Sequence, residues 1–299
     1  MDNSVFAIET KGLTKRFGRQ AAVDNLSLAV PKGSVFAFLG KNGAGKTTTI
    51  RMLMNLLDKT SGDARVMGLD CGRESMEIRR RTGYVGDNLK MYDWMTINQI
   101  MWFCKGFRAG WNDEFASDLQ KKLDLPGEKK VGALSRGMQA KLALLLAMAF
   151  RPEVLILDEP TTGLDVVVRR DFLTGIIELM HEEGRTIFFS SHLVHEVERV
   201  ADWVGIVDKG KLIWCSTIDD LKSSIKQIVL TFDSVPDSFS VIPGVLQVES
   251  VARQSTVTVR DYSDSTYTAA ASLLPKHIQV NGLGLEDIFV KLVGCEGGD

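Results

Sequence analysis

The sequence predicts an α/β domain with a mixed sheet core, followed by a small α+β appendage. Three observations predict it. Up to about Ser216, short apolar runs alternate with longer helical patterns, which is the signature of strands covered by helices. A glycine-rich turn at 40–45 stands between one such run and a helical segment. After about Asp219 the texture changes to alternating strand-like segments with two short helical ones. The expected domains are therefore 1–218 and 219–299.

In chain order, Phe6–Thr10, Ala22–Val23 and Leu26–Val30 read as antiparallel strands of a separate β subdomain. Val35–Leu39, Val154–Leu157 and Thr186–Ser190 are short continuous apolar runs, suited to parallel strands buried on both faces. A helix is expected from about Gly45 to Leu57. A mostly helical subdomain is expected at about 88–132, carrying Trp94, Trp102, Phe103, Phe107 and Trp111. Those aromatics are read as core packing, with a partner-docking surface as the alternative. In the appendage, Ile228–Phe232, Val245–Val251, Val257–Val259 and Ile278–Val280 read as strands. Thr266–Leu274 and Leu285–Leu292 read as helices.

Composition bounds the function. The 299 residues carry 36 basic and 38 acidic side chains, a net charge of -2, so no basic excess points to nucleic acid. The runs Arg79–Arg81 and Lys129–Lys130 read as solvated faces. Cys71, Cys104, Cys215 and Cys295 are far apart and form no CxxC pair, which fits isolated thiols of a cytosolic protein better than a zinc site or a disulfide framework. His192 and His195 have no evident third metal ligand. No signal peptide is expected at the start. The longest strongly apolar stretch, Leu142–Phe150, is far short of the roughly 20 residues that span a bilayer.

The chemistry sits in two motifs. Residues 40–47, Gly-Lys-Asn-Gly-Ala-Gly-Lys-Thr, fit G-x-x-x-x-G-K-[ST] with a strand before and a helix after. Glycines let backbone N–H groups curl around phosphates, Lys46 reaches the terminal phosphates, and the Thr47 hydroxyl is placed on Mg²⁺. Asn42, Gly43, Ala44, Gly45 and Thr48 complete that cradle. The run Val154–Leu157 ends in Asp158 and Glu159. Strand alternation is expected to aim them apart, Asp158 at Mg²⁺ and Glu159 at an attacking water.

Leu134-Ser135-Arg136-Gly137-Met138 precedes this pair. It resembles the signature segment of ATP-binding cassette (ABC) proteins, usually Leu-Ser-Gly-Gly-Gln. The order of motifs also matches: phosphate loop, signature, acid pair, Gly163-Leu164-Asp165 as the D-loop, and Ser190-Ser191-His192 with a switch histidine. The resemblance covers about Ile8 to Ser216 and implies the P-loop NTPase fold of an ABC ATPase, binding ATP and Mg²⁺. It further implies that Glu159 and His192 position the water, that Ser135 and Gly137 contact the γ-phosphate held by an opposite subunit, and that Phe17 stacks on adenine. The resemblance thus implies a homodimer, or a heterodimer with a second ATP-binding subunit, that drives a separately encoded membrane permease from the inner face of the cell membrane. Departures are Arg136 for Gly, Met138 for Gln, and Asp87 at the position of the Q-loop glutamine. Asp87 is expected to ligate Mg²⁺ directly or through a water. Leu285-Glu286-Asp287-Ile288-Phe289 resembles the close of export-type subunits. The groove beside Asp87, near Met91, Tyr92, Trp94 and Met95, is the expected docking surface. A soluble ABC ATPase that remodels ribosomes or DNA is the rival, though such relatives generally carry two cassettes or long insertions. A small-molecule kinase would share the phosphate loop but leave 134–137 unexplained.

Overall fold

The structure, a computed structural model, describes residues 5–87, 90–164, 169, 175 and 184–294. It divides into two compact units, Met1–Cys215 and Ser216–Asp299.

In the first unit, β1 (Phe6–Phe17) and β2 (Gln20–Pro31) form a long hairpin, turned at Gly18 with φ 58°. With β4 (Ser61–Val66) and β5 (Leu69–Asp70) it makes an antiparallel sheet in the order β2-β1-β4-β5. The second sheet has six strands in the order β10-β9-β3-β8-β7-β6. These are β3 (Val35–Leu39), β6 (Thr82–Val85), β7 (Val154–Leu157), β8 (Thr186–Ser191), β9 (Trp203–Asp208) and β10 (Lys211–Thr217). Neighbours from β9 through β6 run parallel. Every residue of β3, β7 and β8 is buried, which is why these strands read as unbroken apolar runs. Phe188 of β8 lies between Phe36 and Phe38 of β3, with ring centroids 5.7 and 5.6 Å away. All three join one core with Leu13, Leu26 and Leu28 of the hairpin.

Helix α1 (Lys46–Leu53) starts at the end of the glycine-rich loop. It stops short of Leu57 because Asn55 turns left-handed at φ 50°, a conformation that ends helices. Arg79, on α2 (Ser75–Arg81), donates to the Met54 and Asn55 carbonyls at that end. Arg81 holds Glu153 through two hydrogen bonds, at 2.7 and 2.9 Å. The expectation of a solvated face for 79–81 therefore fails at two of its three arginines.

The helical segment contains α3 (Ile97–Lys105), α4 (Asp113–Lys122) and α5 (Arg136–Met148). Its base is closed by backbone bonds from Ile97 to Lys129, Asn98 to Gly127 and Val131 to Met95. The expectation that its aromatics are core is overturned for most of them. Trp94, Trp102 and Phe107 are 64%, 77% and 76% exposed. Too few apolar side chains surround α3 to bury both of its faces, and only Ile97 and Ile100 of that helix are buried.

In the second unit, β11 (Lys226–Thr231), β12 (Val245–Val251), β13 (Gln254–Val259) and β14 (His277–Gly282) form an antiparallel sheet ordered β12-β13-β11-β14. Alternate residues Ile228, Leu230, Val257 and Val259 are buried together with Phe232, Ile242 and Ala270. Three helices accompany it, α7 (Ile218–Ser224), α8 (Asp264–Ala271) and α9 (Leu285–Gly294); α6 (Val194–Val200) belongs to the first unit. Leu285, Ile288 and Phe289 form the buried face of α9 while Glu286 and Asp287 occupy its first turn, where acids favour the helix dipole. That closing motif therefore has a complete packing explanation. No described helix is long and apolar enough to cross a membrane.

Each unit has its own core, and β10 ends at Thr217. A chain ending after Thr217 is expected to fold and to retain nucleotide binding. Circular dichroism followed by a fluorescent-nucleotide titration checks this; a folded truncation that fails to bind would show that the second unit supports the site.

Candidate nucleotide site

Because β3, β6, β7 and β8 are parallel, their carboxyl ends lie along one edge of the sheet, where ligands of open α/β sheets bind. Register makes this specific. Leu39 lies opposite Ser191, Leu157 opposite Phe189, and Val85 opposite Leu157. The residues that follow each strand therefore meet: the loop from Gly40, Asp87, Asp158–Glu159 and His192. All but the buried Asp158 reach a cavity of about 360 Å³ lined by Asn42, Gly43, Gly45, Lys46, Thr47, Thr48, Asp87, Glu159 and His192, with Ala22 and Thr162.

The loop is built around its glycines. A Cβ on Gly40 would lie 2.4 Å from the Val207 carbonyl oxygen, and one on Gly45 2.5 Å from that of Ala22. Gly43 and Gly45 have φ of 82° and 103°, the region glycine adopts without penalty. Ala44 is buried and outside the lining. Helix α1 has no acidic residue in its first turn and no side-chain cap, so its N-terminal N–H groups and dipole are left for an anion. Lys46 is buried, with Nζ 2.7 Å from the Gly40 carbonyl and 3.2 Å from that of Lys41.

Asp158 is fully buried. Its Oδ1 accepts from Ser190 Oγ at 2.8 Å and from Thr47 Oγ1 at 3.1 Å. Its Oδ2 is buried without a hydrogen-bond partner among the described residues. Burial raises its pKa above the usual carboxylate value. The Ser190 and Thr47 hydrogen bonds oppose that shift, and the charges of Asp87 and Glu159 add to it. The strand ends at Leu157, so strand alternation does not aim the two acids apart as expected. Glu159 is instead turned by a left-handed backbone, φ 48°, strained for a residue with a Cβ. Its N–H donates to Ser190 Oγ at 2.9 Å. Its Oε1 is 3.0 Å from Lys46 Nζ, an ion pair off the hydrogen-bond direction, and its Oε2 is 2.7 Å from His192 Nδ1.

Other expected residues lie elsewhere. Phe17 is 53% exposed at the hairpin end, with Lys15 Nζ 5.1 Å from its ring centroid. It is not a core side chain, and it does not line the cavity. Ser135 caps α5 by accepting from the Met138 N–H at 3.3 Å. Neither Ser135 nor Gly137 lines the cavity of its own chain. Arg136 lies against Gly163, where a Cβ would come within 2.4 Å of its guanidinium carbon. Asp165 lies outside the described residues. Ser190, the shared partner of both acids, is not among the expected site residues; its position two residues before His192 at a strand end is the only signal in the sequence. The segment after Glu159 is braced by buried Glu196, which accepts from Thr161 Oγ1 at 3.0 Å and sits 3.2 Å from Arg169 Nε.

Residues 23–162 match the protein family described as ABC transporter. Over 96% of this chain and 97% of its own length, the bacitracin transport ATP-binding protein of Bacillus licheniformis is 33% identical. The chain belongs to the ABC transporter family. It is an ATPase of that family's ATP-binding subunits. The daunorubicin resistance ATP-binding protein of Streptomyces coeruleorubidus is 32% identical over 97% of this chain and 95% of its own length. A probable multidrug ABC transporter ATP-binding protein of Escherichia coli (strain K12) is 38% identical over 72% of this chain, but this chain spans only 38% of that protein's length. Among solved structures, an ATP-binding subunit of an ABC transporter aligns at TM-score 0.65 and 24% identity, covering 73% of this chain and 92% of its own. A dimeric cassette in a post-hydrolysis state with ADP and Pi aligns at 0.63 and 20%, covering 71% and 98%. These likenesses establish the ABC ATPase fold.

Ser190 links the Asp158 carboxylate to the Glu159 backbone N–H, so Ser190→Ala is expected to destabilise the protein by about 1–3 kcal/mol, the usual cost of leaving buried polar groups unpaired. Urea unfolding monitored by circular dichroism measures it; an unchanged midpoint would show that the linkage contributes nothing.

Proposed function

We propose that this chain is the ATP-hydrolysing subunit of an export-type transporter, working as a dimer on a separate membrane permease at the inner face of the membrane. The observation that carries the catalytic part is the chain Lys46–Glu159–His192 beside Thr47 and Asp158. Lys46 and the loop N–H groups bind the terminal phosphates of ATP. Glu159 takes the proton of the attacking water, and His192, held on the same carboxylate, orients it. Phe17 offers an exposed ring face to adenine.

Mg²⁺ fits the donors present. Asp158 Oδ2 is buried and unpartnered, and Thr47 supplies a hydroxyl beside it. Among the described residues no three His, Cys, Asp or Glu side chains form a metal cage. That agrees with a metal which takes one or two protein ligands and completes its shell with phosphates and water. Thr47 and Asp158, with Asp87 at the cavity edge, would hold the ion, whose chemistry is to neutralise the phosphate charge. Asp87 currently pairs with Arg51 at 3.2 Å.

Dimerisation is supported by the signature residues. Ser135, Gly137 and the start of α5 form an exposed group of donors away from their own cavity, as expected if they close over a nucleotide held by another chain. Export is supported by relatives named for bacitracin transport and daunorubicin resistance; remodelling of ribosomes or DNA gains no support from them. For the permease, a groove of about 440 Å³ is lined by Arg51, Asp87, Met91, Phe107, Arg108 and Leu146. Exposed rings lead to it from Trp94 through Tyr92 and Phe103 to Phe107, at 6.0, 5.6 and 5.0 Å. Exposed aromatic patches of this kind suit a protein partner.

Lys46→Ala is expected to abolish tight ATP binding in a folded protein, measured with a fluorescent ATP analogue in Mg²⁺. Glu159→Gln is expected to keep binding while hydrolysis falls by about a hundredfold or more. Size-exclusion chromatography should then show an ATP-dependent dimer. Normal turnover by a monomeric Glu159→Gln variant would refute the assignment of the base.

A further inference from the structure

Asp87 borders two cavities at once. It lines the nucleotide site with Thr47 and Glu159, and it lines the groove with Arg51, Tyr84 and Phe107. Its Oδ1 is 3.2 Å from Arg51 Nη2, and both side chains are roughly half exposed, at 41% and 46%. Arg51 stands in the last turn of α1, on the helix that begins with Lys46 and Thr47. Burial raises the Tyr84 pKa, and the charge of the same arginine opposes that shift. Gly86 lets the Tyr84 hydroxyl sit close to the chain, since a Cβ there would lie 2.9 Å from that oxygen. Arg51, Tyr84 and Asp87 thus form a cluster exactly at the partition between groove and site. Asp87 also adds to the negative charge felt by Asp158.

We propose that Arg51 is a positioning residue that competes with Mg²⁺ for the Asp87 carboxylate, holding it on the groove side until the guanidinium is drawn away. This rests on the proposed Mg²⁺-side role of Asp87. The physical reason is that one carboxylate has two cationic claimants on opposite sides. While Arg51 holds Asp87, the metal side loses the ligand, and the guanidinium offsets part of its charge. A partner that engages the Arg51 guanidinium from the groove releases Asp87 toward the nucleotide. Occupation of the groove then favours the metal-loaded site without any movement of β6.

The test is Mn²⁺ affinity of the full chain, with Mn²⁺ as the probe for Mg²⁺, read by electron paramagnetic resonance in the presence of a non-hydrolysable ATP analogue. Arg51→Ala is expected to tighten Mn²⁺ binding by about 2- to 5-fold, the size expected when the carboxylate no longer gives up one solvent-exposed ion pair to bind the metal. Arg51→Lys, which keeps the charge, should stay near the original affinity. Asp87→Ala should weaken binding, and adding Arg51→Ala to it should produce no further tightening. Circular dichroism confirms folding of each variant. If Asp87→Ala leaves Mn²⁺ affinity unchanged, the metal-side role of Asp87 falls and this inference with it. If Asp87→Ala weakens binding but Arg51→Ala does not tighten it, only the competition is overturned. Equal tightening by Arg51→Ala with and without Asp87 would also overturn it, since Arg51 would then act on the metal by its charge alone.

Discussion

The site depends on one serine hydroxyl. Ser190 Oγ accepts the Glu159 N–H and donates to Asp158 Oδ1, so a single buried atom sets the Asp158 carboxylate and the Glu159 backbone against the end of β8. It does this only because Leu157 is in register with Phe189, which places Ser190 one step beyond, beside Asp158. A slip of one residue between these parallel strands would turn Ser190 away and put an aromatic face in its place. The stacked rings of Phe36, Phe38 and Phe188 make that slip costly, because each ring occupies a filled core position. Packing of the sheet and geometry of the site are therefore one problem.

The left-handed turn after the end of β7 gives Glu159 its second constraint. At φ 48° the side chain leaves the strand direction and meets Lys46 and His192. The phosphate-binding cation and the proposed base thus neutralise each other before any nucleotide arrives, in a place where an unpaired charge would be costly. A polyphosphate entering the loop supplies Lys46 with a stronger partner and frees Glu159 toward water and His192. In the proposed site, binding and activation of the base would be coupled through one lysine.

Legibility followed the range of the interactions. The glycine loop, Lys46, Thr47, Asp158, Glu159 and His192 are visible because each sits within a few residues of a strand end, and strand ends show as breaks in apolar runs. Strands β3, β7 and β8 were readable for the same reason. The antiparallel β4 and β5 were not, because their alternating polar residues carry no strong apolar run. Arg51 and Asp87 are 36 residues apart, and nothing local couples them. The exposed rings at Trp94, Trp102 and Phe107 contradict the expectation from composition, since a small helical segment cannot bury that much aromatic surface. Ser190 was hidden by its neighbour: the histidine of Ser-Ser-His attracts the functional reading, while the serine that organises the acids looks like part of a turn.

The distribution of donors also bears on assembly. Within one chain, the loop amides, Lys46 and the start of α1 approach a phosphate from the side of β3, and Glu159 and His192 from the ends of β7 and β8. All of these groups come from the edge of one sheet, so they leave the remaining face of the cavity open. The other helix start equipped for an anion, at Ser135 and Gly137, does not line that cavity. Its first turn holds no acid, so beyond the Ser135 cap no carboxylate of that turn meets the positive end of its dipole. Two half-sites facing each other would resolve both deficits: the open face of each cavity receives donors, and each bare helix start receives an anion. In the proposed dimer this complementarity requires nucleotide, because without the phosphates the helix start at Ser135 would face no anion in the opposite cavity. ATP would then bridge the two chains, and its hydrolysis would remove the reason for them to stay closed.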